Sequence, residues 1–108
     1  MIEVKVWRTP ERGIYKFSIK GHAGYDEYGK DIVCAAVSAI SQTAVLGIEN
    51  IEGVKIRKKI EEGNLEVEIE QALKEIDRIK LQAILETMLL GLKDVAQGYS
   101  DYVKVEEV

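Results

Sequence analysis

Residues 54–70 read Val54-Lys55-Ile56-Arg57-Lys58-Lys59-Ile60-Glu61-Glu62-Gly63-Asn64-Leu65-Glu66-Val67-Glu68-Ile69-Glu70. Two runs alternate in period two: Val54, Ile56, Lys58 and Ile60 against Lys55, Arg57 and Lys59, then Leu65, Val67 and Ile69 against Glu66, Glu68 and Glu70. That is the pattern of strands with one buried face. Glu61 to Asn64 carries the glycine and asparagine that turns favour, so the runs are predicted to form an antiparallel hairpin. With Ile60 opposite Leu65, Lys59 faces Glu66, Arg57 faces Glu68 and Lys55 faces Glu70. Each pair adds little, but a matched row of opposite charges helps fix the register.

Outward from this hairpin, the N-terminal side repeats the strand signal. Ile2, Val4 and Val6 alternate with Glu3, Lys5 and Trp7, and Tyr15, Phe17 and Ile19 alternate with Lys16, Ser18 and Lys20. The stretch from Thr9 to Gly13, with the only proline, is the turn between them. Gly21 to Lys30 holds three glycines in ten residues and is predicted to be a loop. Asp31 then suits a helix N-cap, because its carboxylate accepts the free N–H groups of a first turn. Ile32 to Ile51, nearly free of charge until Glu49, is predicted to be a long and mostly buried helix.

On the C-terminal side, Ala72 to about Gly98 is predicted to be a second long helix. Ile76, Ile79, Ala83, Ile84, Met88, Leu92 and Val95 give it an apolar face. Leu81, Leu85 and Leu89 widen that face beyond one packing surface, so part of it is expected to meet a second copy of the chain. Tyr102 to Val105 make a short last strand. The order ββαββαβ indicates the α+β class, an antiparallel or mixed sheet covered by two long helices. Residues 1–108 are expected to form one domain, with no linker.

Composition excludes several function classes. The net charge is −4, which disfavours direct, non-specific binding to nucleic acid. One cysteine cannot close an internal disulfide, and one cysteine with one histidine cannot supply the four N or S ligands of a structural zinc site. No metal and no cofactor are therefore expected. The start Met1-Ile2-Glu3-Val4-Lys5-Val6 lacks the layout of a signal peptide, and no apolar run is expected to reach the ~20 residues of a membrane span. A cytoplasmic protein with a reduced thiol and no membrane partner is expected.

The chemistry-bearing residues flank the glycine-rich loop. With Asp31 as cap, Cys34 falls in the first helical turn, where the dipole and free N–H groups favour a thiolate. His22, the only histidine, stands at the far end of the loop, and a flexible loop of this length can fold the imidazole back to the sulfur. Such a histidine stabilises a thiolate and then protonates a leaving amine. Backbone N–H groups at the helix start are candidate oxyanion donors. Ser38 lies one turn after Cys34 on the same face and is placed to touch substrate or orient His22.

Plainer roles exist for each of these residues. A lone cysteine in an apolar helix is often a small core residue, a lone histidine is often a surface group, Asp31 is a cap before anything else, and Ser38 is a helix serine. Gly21, Gly24 and Gly29 serve turns. Spacing alone leaves three readings open: a cysteine protease, a non-catalytic binding module, and a redox sensor with one reactive thiol.

Gly21-His22-Ala23-Gly24, Gly29, and Asp31-Ile32-Val33-Cys34-Ala35-Ala36-Val37-Ser38 together resemble the signature of the ribosomal-processing cysteine protease family, often called Prp. The likeness extends to chain length and element order. It implies catalytic roles for His22 and Cys34, with Asp31 as a support. It also implies a loop over the site, Ala23, Gly24, Tyr25, Asp26, Glu27, Tyr28, Gly29 and Lys30, that is mobile until substrate orders it. The implied partner is the N-terminal segment of a large-subunit ribosomal protein, number twenty-seven. The implied setting is a homodimer in the bacterial cytoplasm that supports ribosome assembly.

Overall fold

The computed structural model describes residues 1–108 and contains the predicted series of elements. These are β1 (Ile2–Arg8), β2 (Ile14–Lys20), α1 (Ile32–Glu49), β3 (Val54–Glu61), β4 (Asn64–Ala72), α2 (Glu75–Gly98) and β5 (Val103–Glu107). The strands form one five-stranded sheet in the order β3-β4-β2-β1-β5. The pairs β1–β2, β2–β4 and β3–β4 are antiparallel, and β1–β5 is parallel, so the sheet is mixed.

This topology contains two crossovers between parallel strands. Helix α1 carries the chain from β2 over β4 to β3, and α2 carries it from β4 over β2 and β1 to β5. Since β2 and β4 run oppositely, a half-turn about the sheet normal maps one crossover direction onto the other. The right-handed preference of such connections therefore sends both helices to the same face. The helices meet there as an antiparallel pair, with the Ile40 side chain over Gly91 and the Ile84 side chain over Gly47. Between helices and sheet lies one core, including Val4, Val6, Phe17, Val37, Ile48, Val67, Leu85 and Leu92.

The hairpin register follows the sequence for Ile60–Leu65, Lys59–Glu66 and Arg57–Glu68. It then departs: a bulge between Lys55 and Ile56 sets Lys55 opposite Gln71 rather than Glu70. Lys58 stands at an apolar position of β3 and reaches out to Glu49 at the end of α1, 2.6 Å away. The N-cap of α1 is Asp31, as read from the sequence.

Three expectations about the helices need correction. Ala72 belongs to the end of β4, and α2 begins at Glu75 with no side-chain cap to mark its start. In α2 the buried stripe is Leu81, Leu85, Met88, Leu89 and Leu92, while Ile76 and Ile79 are exposed. The residues taken as a widening of the face are thus its core. Helix α1 buries one stripe rather than most of its surface, through Val33, Val37, Ser41, Ala44, Val45 and Ile48. By length and hydropathy alone its 18 residues also reach the membrane-span range. Its stripe packs against the sheet instead.

Candidate active site

The register of three strands brings the site together. Lys20, the last residue of β2, pairs with Asn64, the first of β4, so the Glu62-Gly63 turn sits beside the exit of β2. The Gly21 N–H donates to the Gly63 carbonyl at 2.9 Å and continues that pairing into the loop. His22 comes next and its imidazole lies against Gly63. A β-carbon at Gly63 would stand 2.8 Å from Nε2, and the residue's φ of +69° is one that side chains rarely adopt. Glycine at this turn leaves the space that the imidazole fills.

Asp31 ties the other wall. Its Oδ1 accepts the Val33 and Cys34 N–H groups, each at 3.0 Å, and its Oδ2 accepts the Tyr25 and Asp26 N–H groups at 2.9 and 3.3 Å. One carboxylate thus holds the loop and starts the helix. Burial alone pushes its pKa up, but the amides of Cys34, Asp26, Tyr25 and Val33 outweigh that and hold it below the ordinary carboxylate value. The same bonds narrow the choice of oxyanion donors, because the Val33 and Cys34 amides are already committed. The amide directed at the sulfur comes from the loop instead: the Ala23 N–H donates to Cys34 Sγ at 3.3 Å. Ala23 itself is buried, and Cys34 is half-buried.

His22 and Cys34 line one cleft of about 700 Å³, with Asp31 and Ser38 on the helix side and Glu61 and Glu62 on the hairpin side. Asp26, Tyr28 and Gly29 of the loop contribute its outer wall. His22, Cys34, Asp31 and Ser38 therefore border the same space, while Ala23, Tyr25, Glu27 and Lys30 of the predicted loop do not line it. Sequence reading missed the hairpin turn as part of the site. Gly63 was visible only as a turn residue, and nothing in local pattern placed it under the histidine.

The profile of the family described as Cysteine protease Prp matches residues 1–104. The chain belongs to this family. The ribosomal processing cysteine protease Prp of Bacillus subtilis (strain 168) is 32% identical over 107 residues, covering 97% of this chain and 96% of the relative. Its counterpart in Staphylococcus aureus (strain NCTC 8325 / PS 47) is 29% identical over 108 residues, with 97% of each chain covered. Among solved structures, the essential ribosomal processing protease Prp from S. aureus, in complex with a covalently linked product peptide, superposes with a TM-score of 0.90. The two are 25% identical and each is covered in full. SMU.848 from Streptococcus mutans gives 0.81 at 28% identity, covering 100% of this chain and 97% of the other. The mixed five-stranded sheet with two helices is thus the Prp fold, and the chain is a cysteine protease of the ribosomal-processing family.

Proposed function

We propose that this Prp-family chain is an endopeptidase that removes the N-terminal extension of large-subunit ribosomal protein number twenty-seven, with Cys34 as nucleophile and His22 as acid and base. The observation that carries the reading is the shared cleft, where the chain's only thiol and only imidazole border one peptide-sized space. The Cys34 thiolate attacks the scissile carbonyl carbon, and the C–N bond breaks as His22 gives its proton to the departing amine. His22 then takes a proton from water, the hydroxide attacks the thioester, and Cys34 leaves as thiolate. The covalently linked product peptide of the S. aureus relative supports a covalent route. The Ala23 N–H donates to the sulfur and fixes it at the wall of the cleft. Asp31 acts by fixing the loop and the helix start, and Ser38 by contacting the bound peptide. The setting is a cytoplasmic homodimer.

The test is cleavage of the N-terminal segment of the same organism's ribosomal protein, read by mass spectrometry. A single cut is expected, lost in both Cys34→Ala and His22→Ala. Binding without cleavage in the wild type would sink the substrate assignment, and full activity in Cys34→Ser would sink the nucleophile.

A further inference from the structure

The loop over the cleft is attached at a place that its sequence does not suggest. Tyr25 leaves the loop and lays its ring edge-on against two tyrosines at the opposite end of the chain. Its centroid lies 5.6 Å from that of Tyr99 at an interplanar angle of 90°, and 5.2 Å from that of Tyr102 at 79°. Both geometries are the favoured edge-to-face arrangement. Tyr99 caps the end of α2, and Tyr102 immediately precedes β5. Their junction is well tied: the Tyr102 N–H donates to the Tyr99 carbonyl at 2.9 Å, and the Tyr102 carbonyl accepts the Ile2 N–H at 2.8 Å. Both rings also pack against the core.

The rest of the loop has little else to hold it. Residues 24–30 are all exposed, and Tyr28 is 84% exposed. Gly24 and Gly29 have φ of +70° and +87°, and a β-carbon at either would meet nothing within 4 Å. Glycine serves there for backbone freedom, as at a pair of hinges. Between these hinges, the ring of Tyr25 is the apolar anchor, and the two amides on Asp31 are the polar one.

We propose that Tyr25 is a positioning residue, a latch that docks the loop on the α2–β5 junction and so presets the outer wall of the peptide cleft. The functional half of this rests on the peptidase reading above. Two edge-to-face contacts together favour the docked loop by roughly tenfold or more. A docked wall spares the peptide the cost of ordering the loop as it binds. The latch therefore acts on peptide affinity more than on the chemical step, and it needs the ring rather than the hydroxyl.

The experiment compares Tyr25→Ala and Tyr25→Phe with wild type, by hydrogen exchange of the unliganded full chain and by steady-state cleavage of the ribosomal protein's N-terminal peptide. In Tyr25→Ala, exchange over residues 24–30 and KM are each expected to rise about tenfold, with kcat within about twofold. Tyr25→Phe is expected to match wild type in all three. If Tyr25→Ala does not fold, Tyr99→Leu removes one ring contact from the other side and is expected to raise the same exchange. Unchanged exchange in the variant that folds overturns the latch. Lost kcat at constant KM overturns the positioning role, and a Phe variant that behaves like Ala overturns the ring contact. A wild type that binds but does not cut would sink the peptidase reading instead, and the exchange data would still decide the latch.

Discussion

Gly63 and His22 occupy a space that one added methyl group would fill. The β-carbon of alanine would stand 2.8 Å from Nε2, and its backbone would have to hold a φ of +69°. His22 is exposed and free to swing away, so the contact penalises its placement more than the fold. Gly63→Ala is therefore expected to lower kcat/KM by roughly 10–100-fold through a displaced imidazole. The left-handed backbone should add a stability loss of about 1–2 kcal/mol. Peptide cleavage alongside urea unfolding separates the two effects, and wild-type kcat/KM in a folded variant would show that Gly63 does not set the imidazole. Asp31 was legible from its cap position, whereas position and spacing alone left Cys34 and His22 open to plainer roles, and the resemblance to a known family carried their assignment. Gly63 is forty-one residues from His22 in sequence, and only strand register brings them together.

Strands and helices are tied at their far ends by charge. Arg8 of β1 forms a two-pronged pair with Glu86 of α2, at 2.6 and 2.9 Å, and reaches Glu107 of β5 at 2.8 Å. Lys93 of α2 bonds the other Glu107 oxygen at 2.8 Å. The Lys93 and Arg8 hydrogen bonds hold the Glu107 carboxyl down at about 2, and Arg8 likewise holds Glu86 below the ordinary range. Both carboxyls are depressed in the folded chain, so their contribution is fully present above the unfolded value of 4.5 and is lost as pH falls toward about 2. Arg8 is largely covered but both carboxylates are open to solvent, which limits each pair to about 1 kcal/mol. Melting temperature is expected to fall as pH drops through that window. Arg8→Leu should flatten the fall and lower the plateau; an unchanged pH profile in that variant would remove the cluster from the account. At this scale the hairpin was the most legible element, since alternation and matched charge demand the same register. The bulge at Lys55 was hidden because it arises where β4 runs on past Glu70 to Ala72. The start of α2 was hidden because Lys74 gives it no side-chain cap. Its buried stripe was misread because the helix carries two apolar rows, and period alone does not say which one the sheet selects.

At the scale of the whole molecule the two faces differ in what they offer a partner. The outer sheet face is covered with charge: Arg57 pairs with Glu68 and Glu70, Lys20 with Glu66, and Lys16 lies 4.8 Å from the centroid of the Trp7 ring. The outer surface of the helix layer carries large aliphatic side chains among its polar ones, with Leu46 at 68%, Ile76 at 54%, Ile79 at 59% and Leu90 at 69% exposure. Several large aliphatic side chains on one layer are what a self-associating surface carries. The sequence pointed to α2 for this role, and the row it assigned inward, Ile76 and Ile79, is the row that α2 presents outward. Helix α1 joins it through Leu46. A specific interface buries about 800 Å² on each partner, and central aliphatic side chains supply much of its energy. Leu46 and Leu90 point away from the core, so a charge at either is expected to leave the fold intact and, were this layer a dimer interface, to place an unpaired ion in it. Wild type is expected to sediment as a dimer at micromolar concentration, and Leu90→Asp and Leu46→Asp as monomers with near-unchanged melting temperature when extrapolated to low concentration. If the wild type runs as a monomer, the helix layer is not a self-association surface. If it runs as a dimer that both variants leave intact, the contact lies on another face, and the charged sheet becomes the surface to substitute next.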